Sequence, residues 1–428
     1  MKKNIFKDFK TLHGTIKIPA DKSISHRAAI LASLANGKST IKNFSSGQDP
    51  NSTLNVLKNL GIEIDKDFKT STLKINSNGK FKPGNVILDC GNSGTTMRLM
   101  SGILAGQNFD STLIGDESLS KRPMGRIIEP LRLMGAQIES NSNKAPIKIH
   151  GSKLEAINYS SKIASAQVKS CILLAGLFVN EGTTTYTEPY LSRNHTELML
   201  QYMGANIKIN GLTTTIKKSE LNPIEVEIFG DISSAAYFIV AGLITPNSEI
   251  TLHNVGLNPT RTGIIDIVKK MGGNIEIYNE HTICSEPVGD IKVSYTENLK
   301  CCNISGDIIP KLIDEIPVIA VLATQAEGTT VISNASDLRN KESDRIFTIV
   351  KELKKIGANI EETPDGMIIH GKTQLCGDNM VETYCDHRLA MSLYVAGLVC
   401  KKEICINGFE WVDISFPEFS QIFEQLKH

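Results

Sequence analysis

Met134-Gly135-Ala136-Gln137-Ile138 is the phrase whose recurrence decides the fold. It returns as Leu60-Gly61-Ile62-Glu63-Ile64, Met203-Gly204-Ala205-Asn206-Ile207, Met271-Gly272-Gly273-Asn274-Ile275 and Ile356-Gly357-Ala358-Asn359-Ile360. Gly suits the position just past a helix end, where φ is positive, and the Ile that follows starts a strand. Each phrase closes an amphipathic helix, such as Leu54–Leu60 or Ile264–Met271. Upstream of each lies a second helix rich in Ala, Gly, Ile and Leu, expected at Ala28–Ala35, Thr95–Ala105, Ala166–Phe178, Ala235–Leu243, Ile316–Ala326 and Leu389–Val399. Between the two helices sit short β-branched strands such as Thr183-Thr184-Thr185-Tyr186 and Thr329-Thr330-Val331-Ile332. The sequence predicts six α/β units of about 70 residues. Each reads strand, buried helix, strand, amphipathic helix, strand. The last unit ends on Phe416-Pro417-Glu418-Phe419 and a closing helix. The stretch around Tyr278–Leu299 breaks the pattern and reads as irregular.

The chain has 428 residues, more than one simple core accommodates, so six units group as three plus three. The join falls near Glu227-Ile228-Phe229-Gly230-Asp231. Lys plus Arg equals Asp plus Glu, so no global field draws nucleic acid or an anionic membrane, and any anion site must be local. No apolar run reaches the length of a membrane span. The start, Met1-Lys2-Lys3-Asn4-Ile5-Phe6-Lys7-Asp8, has the basic residues of a signal peptide without its apolar core. Nine scattered cysteines with no Cys-x-x-Cys pair fit free thiols in a reducing cytoplasm. The histidines show no metal-ligand spacing. Gly37-Lys38-Ser39-Thr40 imitates the end of a P-loop, but Ala32 stands where its first Gly belongs.

The approaches to the six buried helices are polar. The richest is Asp21-Lys22-Ser23-Ile24-Ser25-His26-Arg27, expected as the entry to the helix starting at Ala28. The others are Asn92-Ser93-Gly94-Thr95, Ser165-Ala166-Gln167, Asp231-Ile232-Ser233-Ser234, Asp314-Glu315 and Asp386-His387-Arg388. A helix N-terminus offers unpaired N–H groups and is worth about 0.3–1 kcal/mol to an anion. Units packed around a pseudo-threefold axis would bring three such entries together at one end of each domain. The basic residues Lys22, Arg27, Arg98, Arg122, Arg193, Lys341, Arg345 and Arg388 adjoin them or follow the strands. Two unit negative charges about 5 Å apart repel by roughly 3 kcal/mol at an effective dielectric near 20, so joining two polyanionic reactants needs such a cluster. Asp314-Glu315 and Lys341-Glu342-Ser343-Asp344-Arg345 set acids among the cations, where a carboxylate stays ionised and can take a proton from a hydroxyl. Simple charge compensation would use the same residues.

Taken together, these motifs and Gly91-Asn92-Ser93-Gly94-Thr95-Thr96-Met97-Arg98, Arg122-Pro123-Met124 and Ser415-Phe416-Pro417 resemble the 5-enolpyruvylshikimate-3-phosphate synthases, in order and over essentially the whole chain. The wording Ser165-Ala166-Gln167 resembles the bacterial class II subgroup. The resemblance implies an α/β (α+β) fold of six βαβαββ units, three per domain. Residues 1–20 and 229–428 would form a discontinuous domain, 21–228 an inserted one, with the active-site cleft between them and Lys22 at a hinge. The implied reaction is enolpyruvyl transfer from phosphoenolpyruvate to shikimate 3-phosphate by addition and elimination, in a cytoplasmic monomer without cofactor or metal. Carried over by position, Asp314 is the base, and Glu342 assisted by Lys22 is the acid. Lys22, Ser23, Arg27, Ser165, Gln167, Arg193, Asp314 and Lys341 would hold shikimate 3-phosphate. Lys22, Gly94, Arg122, Gln167, Arg345 and Arg388 would hold phosphoenolpyruvate. Ile414 stands where many relatives carry Lys, and Ala166 where others carry Ser. Two alternatives stay open: a sibling transferase acting on UDP-N-acetylglucosamine, and a non-catalytic anion-binding or clamp protein. The sibling usually has a loop Cys, and Asp116-Glu117-Ser118-Leu119-Ser120-Lys121-Arg122 has none.

Overall fold

A computed structural model describes residues 1–5, 11–82 and 86–428. Phe6, Lys7 and Asp8 of the basic start lie outside the described residues. All five phrase glycines have positive φ: Gly61 84°, Gly135 90°, Gly204 86°, Gly272 76° and Gly357 100°. They end the helices Gln48–Asn59, Gly125–Leu133, His195–Tyr202, Gly263–Lys270 and Arg345–Lys355. The closing helix is Phe419–Leu426.

The six expected buried helices are Lys22–Leu34, Gly94–Ala105, Ala166–Gly176, Ile232–Ile244, Ile316–Thr324 and His387–Gly397. The first differs from expectation in a way that matters for the site. It starts at Lys22, with the Asp21 carboxylate accepting the Ile24 N–H at 2.8 Å. The polar heptapeptide is therefore the first two turns of the helix, because an N-cap sets the start wherever its side chain finds a free N–H.

Each of the first five repeats closes on two antiparallel strands, one more than its period gave. The second is typical: Val86–Asp89 lies parallel to Ser111–Ile114, which pairs antiparallel with Lys144–His150, and Gln137–Asn141 takes the outside. The supposedly irregular stretch is a long hairpin, Asn274–Ile283 and Glu286–Ser294, in the fourth repeat's sheet. Gly37-Lys38-Ser39-Thr40, the P-loop imitation, lies within the strand Asn36–Lys42.

Contacts divide the chain into two units, one of residues Met1–Pro19, Phe229–His281 and Pro287–His428, the other of Ala20–Ile228 and Thr282–Glu286. Strand pairing explains the discontinuity. The first repeat's sheet receives its opening strand from Glu225–Glu227, parallel to Asn36–Lys42. The fourth repeat receives His13–Lys17, parallel to Glu249–Gly256, and the last receives Lys2–Ile5 beside Ile404–Asn407. In the unit containing Thr282–Glu286, Glu286 pairs with His195 at 2.7 Å, both buried.

Within the unit carrying the termini, Ile232–Ile244, Ile316–Thr324 and His387–Gly397 pack on one another and form its core. Phe416 of Ser415-Phe416-Pro417 is fully buried there, its ring 5.4 Å from that of Phe419. In the other unit Gly94–Ala105 lies close against Ala166–Gly176, so close that a Cβ on Gly102 would stand 2.1 Å from the Cys171 carbonyl oxygen. Among the described residues no helix is long and apolar enough to cross a membrane, and no group of three or more His, Cys, Asp or Glu could hold a metal.

Candidate active site

Three helix entries meet in each unit. In the unit of residues 20–228, Lys22 Nζ lies 3.2 Å from Asp49 Oδ2. Arg27 is nearly buried and donates to Thr196 Oγ1 at 2.7 Å, to the Ser23 carbonyl at 3.0 Å and to Ser170 Oγ at 3.1 Å. It thus ties the first buried helix to the third. Ser165 caps the helix that carries Gln167. Gln167 accepts from Arg98 Nη1 at 2.5 Å and donates to Thr95 Oγ1 at 3.0 Å, tying the third helix to the second.

Arg122 donates to Asn92 Oδ1 at 2.7 Å. A Cβ on Gly94 would stand 2.9 Å from Arg98 Nη1 and 3.5 Å from Arg122 Nη1, so the glycine opens its backbone toward two guanidinium groups. Arg193 is presented by a loop clamped from beneath. The buried Lys169 pairs with Glu188 at 2.7 Å and Glu197 at 2.8 Å, and Glu188 accepts the Ser192 N–H at 3.0 Å.

The unit carrying the termini gathers the other predicted residues around Asp314. Its carboxylate lies 3.2 Å from Arg345, 3.8 Å from Arg388 and 3.9 Å from Lys341. Arg345 also meets Glu342 at 2.5 Å and Asp386 at 2.8 Å. Asp386 caps the helix His387–Gly397. Arg388 lies 3.8 Å from Glu315, which accepts the Ser233 hydroxyl, and Ser233 accepts from Arg261 at 2.7 Å. Arg261 pairs with Asp231 at 3.1 Å.

Lys341, Arg345, Arg388 and Arg261 thus face Asp314, Glu342, Glu315, Asp386 and Asp231, acids set among cations as the sequence has them. What the network supplies is fixed geometry: buried arginines aimed by carboxylates. Burial opposes charge on Arg345, yet Asp386 and Glu342 outweigh it and hold the guanidinium protonated above its usual range. Burial likewise pushes Asp386 up, but Arg345 prevails and holds it below the usual carboxylate range.

Sequence reasoning passed over several of these groups. Arg261 belongs to no repeated motif. Asp49 becomes visible only through its partner Lys22. Arg98, by contrast, stands among the basic residues already named, one helical turn after Gly94 and on its face.

An α/β chain of six such units, with guanidinium and carboxylate groups gathered at the helix entries, belongs to the enolpyruvyl transferase fold. The enolpyruvyl transferase NikO from Streptomyces tendae shares it with a TM-score of 0.80 at 16% identity, over 99% of this chain and 96% of that one. The chain belongs to the family EPSP synthase (3-phosphoshikimate 1-carboxyvinyltransferase), whose model matches residues 7–423. A 3-phosphoshikimate 1-carboxyvinyltransferase from Thermoanaerobacter sp. (strain X514) is 54% identical over 97% of this chain and 98% of its own length. One from Geobacillus kaustophilus is 51% identical over 96% of each. The EPSP synthase structure from Acinetobacter baumannii superposes with a TM-score of 0.89 at 40% identity, covering 100% of this chain and 98% of that one.

Proposed function

We propose that the chain transfers the enolpyruvyl group of phosphoenolpyruvate to the 5-hydroxyl of shikimate 3-phosphate, releasing inorganic phosphate. Family membership supports the reaction. The observation that carries the chemistry is Asp314, one carboxylate within 4 Å of three separate cations. A base in that position stays ionised and is aimed by its partners.

In the addition step the 5-hydroxyl oxygen bonds to C2 of phosphoenolpyruvate, its proton passes to Asp314, and the methylene carbon takes a proton from Glu342. In the elimination step the methyl carbon returns its proton to Glu342, the C2–O bond to phosphate breaks, and the proton held by Asp314 leaves with the phosphate. Lys22, Gly94, Arg122, Gln167, Arg345 and Arg388 hold phosphoenolpyruvate in this reading. Lys22, Ser23, Arg27, Ser165, Gln167, Arg193 and Lys341 hold shikimate 3-phosphate with Asp314. The working form is a cytoplasmic monomer, a setting consistent with nine unpaired thiols.

Phosphate release from phosphoenolpyruvate, measured with each acceptor in turn, tests the reading. Release with shikimate 3-phosphate and none with UDP-N-acetylglucosamine is expected. The reverse pattern, or no release with either, overturns it.

A further inference from the structure

A buried chain of hydrogen bonds in the inserted unit has no place in the reaction as written. His26 Nδ1 lies 2.6 Å from Thr53 Oγ1, and Thr53 Oγ1 lies 2.6 Å from Thr96 Oγ1. Thr96 Oγ1 donates to Ser93 Oγ at 2.7 Å. Ser93 Oγ also accepts the Thr96 N–H at 3.1 Å and so caps the helix Gly94–Ala105. His26, Thr53, Thr96 and Ser93 are all fully buried.

The direction of this chain can be worked out. A hydroxyl has one hydrogen to donate. Thr96 gives its hydrogen to Ser93, so Thr53 gives its own to Thr96. The hydrogen between Thr53 and His26 therefore comes from the imidazole. His26 carries its hydrogen on Nδ1, and Nε2 is a bare acceptor, buried and without a partner among the described residues. Burial, with Lys22 and Arg27 beside it on the same helix, pushes the imidazole well below its usual pKa. Thr53 and Thr96, which complete the chain from the two packed helices, are uncharged.

Four polar groups buried in a row cost desolvation that an apolar contact would avoid, and a fully satisfied chain gives a fixed geometry in return. The ends of the chain show what is fixed. It begins between Lys22 and Arg27 and ends at Ser93, the residue before Gly94.

We propose that His26, with its hydrogen on Nδ1, is a positioning residue: acting through Thr53 and Thr96, it fixes the Ser93–Gly94 backbone on which phosphoenolpyruvate sits. Two donors from Thr96 stop the Ser93 side chain from turning, which holds the backbone entering Gly94. His26 itself touches no substrate. The proposal rests on the reading of Gly94 as the phosphoenolpyruvate seat.

Two measurements test it on the full chain. Nitrogen-15 NMR of histidine-labelled enzyme reads the tautomer without any variant. The expected His26 signals are a protonated Nδ1 and an unprotonated Nε2, unchanged between about pH 6 and 8. A hydrogen on Nε2, or titration in that window, overturns the proposal.

Kinetics read the consequence. Thr96→Val cuts the chain at nearly constant volume. It should raise KM for phosphoenolpyruvate roughly tenfold, leave KM for shikimate 3-phosphate within about twofold, and be rescued by Thr96→Ser. An unchanged KM in Thr96→Val, with a raised KM in Gly94→Ala, removes the positioning role and leaves the seat standing. An unchanged KM in both shows that the seat itself is wrong, and the role of His26 falls with it.

Discussion

Asp314 Oδ1 and Arg345 Nη1 lie 3.2 Å apart, and Arg345 is almost wholly buried while Asp314 is partly open. The arginine is therefore a fixed support and the carboxylate the reactive partner. Asp314→Asn keeps the size and the hydrogen-bonding shape but removes the base. It should lower kcat by about 10²–10⁴-fold, with a much smaller change in either KM. Steady-state kinetics with both substrates varied check this, and an unchanged kcat removes Asp314 from the chemistry.

Asp386 is the buried counter-charge of Arg345, at 2.8 Å. Asp386→Asn leaves the guanidinium underpaired and should cost about 3–5 kcal/mol at neutral pH. The sign of the pH dependence follows from its lowered pKa. The folded state binds this proton less readily than the unfolded chain does. The stabilisation is therefore fully present above about pH 4 and is lost as pH falls through the depressed folded value. Urea unfolding of both proteins across this range should show a gap that is wide at neutral pH and narrows in acid.

Gly94 has two guanidinium groups beyond its missing Cβ. Gly94→Ala should raise KM for phosphoenolpyruvate several-fold by displacing Arg98, with little change in folding stability, because its position at the start of a helix suits alanine. Equal KM values for the two proteins would move the anion seat elsewhere.

The repeats were legible because a helix stop has one simple requirement. Gly61, Gly135, Gly204, Gly272 and Gly357 all adopt positive φ, where a side chain is penalised, so the same residue had to recur. The first helix was read too short because the apolar run begins at Ala28, whereas Asp21 starts the helix through a hydrogen bond. The strand expected from Ile275 continues through Ile283 with no continuous buried face, which made its length illegible, and its pairing with Glu286–Ser294 supplies the order. Quoted motifs brought Asp314, Lys341, Glu342, Arg345 and Arg388 within view. Arg261 with Asp231, and Lys22 with Asp49, are meetings of distant or unpatterned segments that no spacing announces.

Gly272 allows the cost of that helix stop to be read alone. Its φ is 76°, and an added Cβ would meet nothing within 4 Å. Gly272→Ala should destabilise the chain by about 1–2 kcal/mol through backbone conformation only and leave kcat unchanged. Denaturant unfolding with a parallel activity assay checks both halves.

Glu342 is 2.5 Å from Arg345 and partly exposed. As the acid that serves the methylene carbon, it should control exchange of solvent deuterium into C3 of phosphoenolpyruvate. Glu342→Gln is expected to lower kcat and that exchange together, by about 10²-fold or more. Exchange at the wild-type rate in the variant would assign the proton to another group.

The central claim is that the bond broken is between carbon and oxygen. Phosphoenolpyruvate carrying oxygen-18 in the bridge between C2 and phosphorus, turned over with shikimate 3-phosphate, tests it directly by mass spectrometry of both products. Addition followed by elimination sends the labelled oxygen out with inorganic phosphate. Label kept on the pyruvyl carbon would mean that the P–O bond was cut instead, and would contradict enolpyruvyl transfer.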